Sequence, residues 1–370
     1  MRFWRVLPRI LPLSAALLMS GCGQFFPKET TPPPNTSSNF LYVANNATTD
    51  IGALGITSTG LSTLSNSPYQ LGVAPSALAI TPSNSFLYTS SLAGAIYAWT
   101  VNSSGTLTIA NNGSAVVSQI SPTSIAVDST GNWLIAVDLT PAAYLFSIDT
   151  TTGFLTLQGQ AVPLDPGGPI SVYITPNNNL VYVSLGTGGV DILTLNATSG
   201  VLNKTSQILK PLANANADQG LASDPSTKYL FVTETGANAV RAFTIGTNGA
   251  LTNISGSPFK TGLGPNGVIV DETGSFVYVA NRTDGTISAF ALATTGALTT
   301  ISGSPFTTGT QPTGIVEDKT HTYIAVACTG GTPDLQVFSI STSTPGALTN
   351  FATASTGNDP TNAFAVVASH

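Results

Sequence analysis

Three side chains of this chain could do acid–base chemistry together: the carboxylates of Asp138 and Glu234 and the guanidinium of Arg282. A carboxylate that is partly removed from water can act as a general base. An arginine beside it could bind an anionic or polar group of a substrate. These three residues are therefore the candidate catalytic residues, provided that the fold brings them to one place.

Their positions are set by a phrase that the sequence repeats seven times. The plainest copies are Phe-Val-Tyr-Val-Ala-Asn at 276–281 and Phe-Leu-Tyr-Val-Ala-Asn at 40–45. The seven copies begin at Phe40, Phe86, Trp133, Leu180, Tyr229, Phe276 and Tyr323. The steps between them are 46 to 49 residues, and a period of this length indicates a propeller or a solenoid.

Each repeat contains four short extended segments that are separated by turn residues. In the sixth copy, residues 277–280 and 286–292 alternate in hydrophobicity, 297–301 is more polar, and an apolar run follows Pro312. Gly, Asp and Pro between these runs are typical of tight turns. No helical period is visible after the first 39 residues, so the sequence predicts an all-β propeller with four-stranded blades.

The two ends of the chain predict how the ring closes. The first copy begins at Phe40 with no inner strand before it, whereas the segment 359–367 has the pattern of an inner strand with nothing after it. Inner strands are expected after Pro75, Pro122, Pro169, Asp218, Pro265, Pro312 and Pro360. We expect the last of them to join the strands of residues 40–68, which gives seven blades and leaves no open sheet edge.

Two further series of residues fit a ring. The third strands carry bulky residues at one position: Leu54, Trp99, Phe146, Leu193, Phe243, Phe290 and Phe338. They could form a platform for a sugar, but packing between neighbouring blades explains them better. The inner strands carry mostly small residues near the axis, which should leave a central channel open: Ala77, Ser124, Ser171, Gly220, Gly267, Gly314 and Asn362.

The last residues of the seven phrases should surround one mouth of that channel. They are Asn45, Ser91, Asp138, Leu185, Glu234, Asn281 and Cys328. The residues that could bind a polar ligand there are Asn45, Asp138, Asp218, Glu234, Asn281 and Arg282. Three interpretations stay open: polar residues that only cap strand ends, a ligand site, and a catalytic site in which a carboxylate is the base.

Residues 1–39 contain no copy of the repeat and differ from it in composition. Residues 1–21 have three arginines followed by the apolar stretch 10–19, which is too short to span a bilayer and is typical of a signal peptide. The box at 19–22, Met-Ser-Gly-Cys, resembles that of bacterial lipoproteins and implies lipidation of Cys22. Gly23 in place of Asp favours the outer membrane, although the face of the membrane stays open. Residues 22–39 are proline-rich and should form a tether to a propeller at 40–370.

Charge and cysteine content limit which partners the chain can bind and whether it can form a disulfide. Without the first 21 residues the chain has eight Lys and Arg against seventeen Asp and Glu, a net charge near −9. Nucleic acid is therefore not an expected partner, since phosphate binding needs clustered cations. Cys328 is the second of two cysteines, so with Cys22 lipidated no disulfide can form within the chain. Cys328 could be a nucleophile, but a buried filler is the better interpretation.

Three Asp-containing turns could be mistaken for calcium loops. They lie at 128–131, 224–227 and 271–274. A single carboxylate is a poor calcium site, and an Asp that bonds its own turn explains each of them. We expect no metal and no cofactor.

The repeats resemble the seven-bladed lactonase family, which includes 6-phosphogluconolactonase-like and YVTN-repeat propellers. The resemblance covers residues 40–370 and includes the Gly-Ser-Pro-Phe phrases that end at Phe259 and Phe306. It implies an active site with His after an inner-strand proline, Asn-Glu at the end of a phrase, and Asp-Arg before a third strand. This chain has Asn266-Gly267, Asn281-Arg282 and Asn238-Ala239 at those places, and its only histidines are His321 and His370.

Two functions follow. The first is a non-catalytic, monomeric envelope lipoprotein whose channel face binds a protein, a glycan or a small ligand. The second is a lactone hydrolase that uses carboxylates at the channel mouth. The missing histidines favour the first.

Overall fold

The computed structural model describes residue 1 and residues 39–212, 217–331, 333–356 and 365–370, without the side chains of residues 217–219. The predictions for the signal peptide, Cys22 and the tether fall, except for residues 1 and 39, on residues 2–38, outside this part. The described chain folds into seven antiparallel sheets. In six of them the main strands follow one another in sequence order, and in the sheet that begins at Phe40 the strand Val366–Ala368 pairs with the first strand. This arrangement is the predicted seven-bladed propeller.

The first four blades follow one another along the chain. Blade 1 has β1 Phe40–Asn45, β2 Asp50–Thr57, β3 Gly60–Thr63 and β4 Tyr69–Gln70. Blade 2 has β5 Ala77–Ile80, β6 Phe86–Ser91, β7 Ala95–Val101, β8 Leu107–Ile109 and β9 Val117–Ser118. Blade 3 has β10 Pro122–Val127, β11 Trp133–Asp138, β12 Ala142–Ile148, β13 Leu155–Leu157 and β14 Val162–Pro163. Blade 4 has β15 Ser171–Ile174, β16 Leu180–Ser184, β17 Val190–Asn196 and β18 Val201–Leu209.

The remaining blades repeat the plan. Blade 5 has β19 Ala217–Ser223, β20 Tyr229–Glu234, β21 Ala239–Ile245, β22 Leu251–Asn253 and β23 Phe259–Lys260. Blade 6 has β24 Pro265–Val270, β25 Phe276–Asn281, β26 Thr286–Leu292, β27 Leu298–Thr300 and β28 Phe306–Thr307. Blade 7 has β29 Pro312–Glu317, β30 Tyr323–Cys328, β31 Leu335–Ile340 and β32 Leu348–Ala354. The last strand is β33 Val366–Ala368.

The closing strand joins the first blade as predicted. β33 pairs with β1, with Ala368 opposite Leu41 and Val366 opposite Val43. The backbone N–H of Ser369 donates to Phe40 O at 2.9 Å and extends the pairing by one residue. The ring is therefore closed by hydrogen bonds between the two ends of the propeller, which removes the open edge of blade 1.

The outer edge of five blades is built differently from the prediction of one fourth strand. In these blades the edge consists of two short pieces, both paired with the third strand, as β27 and β28 pair with β26. In blades 5 and 6 the Gly-Ser-Pro phrase lies between the two pieces. Ser304 Oγ accepts a hydrogen bond from the backbone N–H of Ala289 in β26 at 2.9 Å, and Ser257 does the same for Ala242. The serine therefore satisfies a strand N–H that the interrupted edge leaves without a backbone partner.

The core lies between the blades. The seven bulky residues of the third strands are at most 3% exposed, and each packs with second-strand residues of the preceding blade in the ring, as Trp99 does with Tyr42. Burial of such a side chain contributes about 1.5–3 kcal/mol. The core interpretation of this series is therefore confirmed by its burial.

The tyrosine of the repeated phrase links pairs of blades by a hydrogen bond. Tyr42 donates from its hydroxyl to Gly105 O, in the turn after the third strand of blade 2, at 2.8 Å. Gly105 has φ +77°, and a Cβ there would lie 2.6 Å from the Phe40 ring. The same bond recurs from Tyr88 to Gly153 and from Tyr278 to Gly346. In blade 1 the first and third residues of the phrase thus both contact one turn of the next blade.

The described part of the chain has three single turns of 3-10 helix, all in connections, at Asn111–Gly113, Thr235–Ala237 and Thr247–Gly249. Within the described residues no helix is long and apolar enough to cross a membrane.

Candidate functional site

The last residues of the seven phrases lie at the ends of the second strands and form a ring of positions on one face of the propeller, which we call the strand-end ring. The register places it beside the start of the inner strands, with Asn281 opposite Pro265 and Asp138 opposite Pro122. All seven residues are buried, with at most 6% of their surface exposed. Their function depends on what their side chains bind.

Glu234 is paired with Arg241 inside blade 5. Arg241 Nη1 lies 3.1 Å from Glu234 Oε1, and the two side chains are 9% and 0% exposed. The same nitrogen donates to Lys210 O at 2.8 Å, and the guanidinium lies 4.6 Å from the centre of the Phe243 ring. Since Lys210 belongs to the crossover that leads from blade 4 into blade 5, this ion pair fastens the crossover to the blade.

Asn45 has the corresponding role at the junction of blades 7 and 1. Its Nδ2 donates to Asp50 Oδ1 at 2.7 Å and to Thr356 O at 2.6 Å. The hydroxyl of Thr356 donates back to Asn45 Oδ1 at 3.0 Å. Asp334 accepts the backbone N–H of Thr356 at 2.8 Å. Polar groups of both blades thus hold the start of the crossover into blade 1.

Asn281 holds the crossover into blade 6 through a serine. Its Nδ2 donates to Ser288 Oγ at 2.9 Å, and that oxygen accepts the backbone N–H of Gly262 at 3.1 Å. Arg282, the next residue, is half-buried, and its Nη2 donates to Gln311 Oε1 at 3.4 Å. Arg282 therefore has a long, partly solvated contact, in contrast to the buried ion pair in blade 5.

Asp138 and Asp218 complete the predicted set. Asp138 Oδ1 accepts the backbone N–H of Thr140 at 3.3 Å, so this carboxylate caps the turn after β11. Asp218 lies in β19, beside Ala217, which pairs with Glu234. The side chain of Asp218 is outside the described part of the chain.

Asp138, Glu234 and Arg282 belong to blades 3, 5 and 6, and their contacts are with their own blades or with neighbouring crossovers. Their convergence on one ligand stays a prediction. In this structure each of the three side chains binds a group of its own blade or of a neighbouring crossover.

Cys328 lies at the strand-end position of blade 7. The thiol is fully buried, close to Gly309 in the crossover into that blade, and burial raises its pKa to about 11. A thiol with such a pKa is protonated at neutral pH and is a poor nucleophile. The interpretation of Cys328 as a buried filler is the one that this environment supports.

The Asp-containing turns lie on the face opposite the strand-end ring. Asp271 Oδ1 accepts the backbone N–H groups of Ser275 and Phe276 at 2.8 and 2.6 Å, and Oδ2 accepts the hydroxyl of Thr273. The turns at Asp128 and Asp224 are built the same way. Each carboxylate is occupied by its own turn, as the sequence indicates. Across the described ranges no three His, Cys, Asp or Glu side chains are grouped to hold a metal ion.

The central channel contains a small cavity of about 170 Å³. The predicted small residues of the inner strands line it, from Ala77 round to Gly314, while Asn362 is outside the described residues. Its walls are hydroxyls, glycine backbone and aliphatic groups. The described inner strands thus provide space at the axis but no ionisable side chain on the cavity wall.

Comparison with known proteins agrees with this architecture. The model of the family "Lactonase, 7-bladed beta-propeller" matches residues 36–172 and 168–366. No curated protein sequence matches the chain.

Several solved structures share the fold. Proteins of Bacteroides uniformis and Bacteroides fragilis, to which 6-phosphogluconolactonase activity has been attributed, superpose with a TM-score of 0.71 each at 16% and 18% identity. The alignments cover 89% and 92% of this chain and 99% and 100% of theirs. The periplasmic gluconolactonase of Pseudomonas aeruginosa has a TM-score of 0.66 and 16% identity, over 90% of this chain and 99% of its own. The family match extends over most of the sequence, and the chain belongs to the seven-bladed β-propeller lactonase family.

Proposed function

We propose that this chain is a non-catalytic member of the lactonase family, a propeller that binds a ligand or a partner rather than hydrolysing a lactone. The observation that carries the proposal is the pairing of Glu234 with Arg241 in a buried site that also binds the crossover carbonyl of Lys210. A general base must exchange protons with its substrate. A carboxylate held by a buried arginine is stabilised in its charged form and is occupied by a structural contact.

We further propose that the propeller is a monomer held at the bacterial outer membrane by lipid on Cys22. The support is the box Met-Ser-Gly-Cys at 19–22 behind a basic and apolar leader. In bacterial proteins with this box, several acyl chains give an anchor that does not need a membrane-spanning helix.

Lactone hydrolysis is the second candidate, because a solved structure of the same fold is a periplasmic gluconolactonase. In that case Asp138 or Glu234 would activate water and Arg282 would bind the substrate. The half-buried position of Arg282 leaves its guanidinium partly accessible to a ligand.

A lactonase assay separates the two candidates. Purified protein is mixed with glucono-1,5-lactone and with 6-phosphogluconolactone, and acid release is followed against the spontaneous rate. We expect no acceleration by wild type and none by the Asp138→Asn variant. Turnover that is lost in Asp138→Asn, while the variant melts like wild type, would contradict the non-catalytic proposal and support the hydrolase.

A further inference from the structure

The sequence contains three Asn-Gly pairs, at 112–113, 248–249 and 266–267. The backbone nitrogen that follows an asparagine can attack the carbon of the side-chain amide. Glycine hinders this attack least, because it has no Cβ and its backbone is the least restricted. All three pairs therefore have the local sequence that favours loss of the amide, and the structure decides at which of them the reaction can proceed.

The first pair lies in the connection between β8 and β9, at the outer edge of blade 2. Asn111–Gly113 form a single turn of 3-10 helix, and none of these residues is buried. The turn is closed by a backbone hydrogen bond from Gly113 N to Ala110 O at 3.1 Å. Residues 111–114 are all exposed. The turn can therefore open without disturbing the core.

The side chain of Asn112 is not held in place by the protein. Its amide makes no hydrogen bond with the described residues, whereas Asn111 Nδ2 donates to Ala115 O at 3.1 Å. Asn112 has φ +52° and ψ +34°, and the attack requires rotation about ψ that brings the Gly113 nitrogen to Cγ. A Cβ at Gly113 would meet no atom within 4 Å. The rotation therefore takes place in open space.

The second pair has the same backbone shape but a packed glycine. Asn248 is exposed, with φ +54° and ψ +27°, close to the angles of Asn112. Gly249 is buried, and a Cβ there would lie 2.5 Å from Ile192 Cγ2 and 3.1 Å from Leu180 Cδ2. Rotation at Asn248 would move this glycine against the core between blades 4 and 5. Packing should therefore keep its nitrogen away from the side-chain carbon.

The third pair lies inside an inner strand. Asn266 belongs to β24 and is 8% exposed. Its carbonyl accepts a hydrogen bond from the Thr233 hydroxyl of blade 5 at 2.9 Å. A Cβ at Gly267 would lie 2.6 Å from Thr313 O of blade 7, so the neighbouring inner strand encloses this glycine. Reaction at Asn266 would require part of the propeller to unfold.

We propose that Asn112 is a site of spontaneous deamidation and that the fold protects Asn248 and Asn266 from the same reaction. The Gly113 nitrogen loses its proton to hydroxide and forms a bond to Asn112 Cγ, while the Cγ–Nδ2 bond breaks and the amide nitrogen leaves as ammonia. Water then opens the five-membered succinimide at either carbonyl and yields aspartate or isoaspartate. The reaction is independent of the binding function proposed above.

The modified protein should stay folded. The product adds one negative charge at the edge of blade 2, and isoaspartate also adds a methylene group to the backbone. The connection is held on both sides of the turn, since Ala110 N donates to Ala98 O and Val116 N donates to Ile96 O, each at 2.8 Å. The change is therefore confined to an exposed segment, and deamidated protein should accumulate in ageing samples.

The test is peptide mass spectrometry of the purified protein after incubation at pH 8, with samples taken over several weeks. Chymotrypsin is used, because no lysine or arginine occurs between Lys28 and Lys204 and trypsin would leave this segment whole. Deamidation raises the mass of a peptide by about 1 Da. Asn112 should gain this mass at least about tenfold faster than Asn248 or Asn266, because an exposed turn opens far more often than a packed element.

Two controls separate the fold from the local sequence. In guanidinium chloride the unfolded chain gives the three pairs similar freedom, so the advantage of Asn112 should disappear. The variant Asn112→Gln should gain no mass at this position over the same time, since its longer side chain would have to close a six-membered ring. Equal rates at the three pairs in the folded protein, an unmodified Asn112, or an advantage of Asn112 that persists in guanidinium chloride would each overturn the proposal.

Discussion

The Glu234–Arg241 pair gives the sharpest test of whether the strand-end ring is structural. Arg241→Met removes the guanidinium and keeps an apolar side chain of similar length against Phe243. It leaves the Glu234 carboxylate, which is 0% exposed, without its 3.1 Å partner, and it removes the 2.8 Å hydrogen bond to Lys210 O.

The expected cost follows from that burial. Removal of one partner of a buried ion pair costs about 3–5 kcal/mol, because the remaining charge stays desolvated. A propeller of this length has an unfolding entropy of roughly 0.7 kcal/mol per degree, so the melting temperature should fall by about 4–7 °C. Adding Glu234→Gln should recover part of the loss, since it removes the charge that Arg241 paired, and the coupling between the two changes should reach about 2 kcal/mol.

The measurement is equilibrium unfolding in urea for the wild type, both single variants and the double variant. Arg282→Met is the matched control, since Arg282 is half-buried and its contact with Gln311 is 3.4 Å long. We expect it to cost no more than about 1 kcal/mol. If Arg241→Met costs as little as the control, the pair does not hold the crossover, and Glu234 becomes available again as a ligand or catalytic group.

Three other predictions concern the ends of the chain and the carboxylate of Glu317. Cys22→Ser should abolish labelling with radioactive fatty acid and release the protein from membranes, and membrane association of that variant would refute the lipid anchor. Truncation after Gly357 removes β33 and exposes the edge of β1, so the wild-type cooperative melting transition should be lost; a truncated protein that melts like wild type would show that closure does not depend on this strand. The pKa of Glu317 in the folded protein, about 7, lies above its ordinary value of 4.5, so the wild type loses stability as pH rises from about 4.5 to 7. Glu317→Gln should therefore be more stable than wild type at pH 8, by up to about 3 kcal/mol, and show no such gain at pH 4, where a gain of equal size would contradict the titration of Glu317.

The blades were predictable because the strand phrases and the turn residues between them recur along the sequence. The start of every phrase coincides with the start of a second strand, from Phe40 to Tyr323. The split outer edge was not predictable in the same way. The Gly303-Ser-Pro305 stretch indicates a turn, but turn chemistry alone does not say that the chain returns to the same third strand.

The strand-end ring was predictable as positions but not as contacts. Asn45 binds the carbonyl of Thr356, which is 311 residues away and meets it only because the ring closes. The partner of Glu234 was within reach of sequence reasoning. In a hairpin that pairs Glu234 with Ala239, Arg241 lies two residues farther along the same face, which is a diagonal cross-strand neighbour.

The sequence predicts the turn that holds His321 but not the groups that surround it. His321 is the last residue of a turn that resembles those at Asp128 and Asp271, and it stands at positive φ where those turns have Gly131 and Gly274. Its surroundings come from blade 6, blade 7 and the closing strand, which meet only after all seven blades are in place.

The two faces of the propeller differ in what their polar groups must do for the fold. On the strand-end face the crossovers enter the inner strands, and buried polar side chains such as Asn45 and Asn281 are required to hold them. On the opposite face tight turns lead from the inner to the second strands, and the side chain that opens such a turn accepts backbone N–H groups of the residues after it, as Asp318 does. The side chains of Glu317 and His321, at one of those turns, do not hold a crossover in place as Asn45 and Asn281 do. A ligand site can therefore change on that face at a lower cost in stability, which is a physical reason to look for the binding function there.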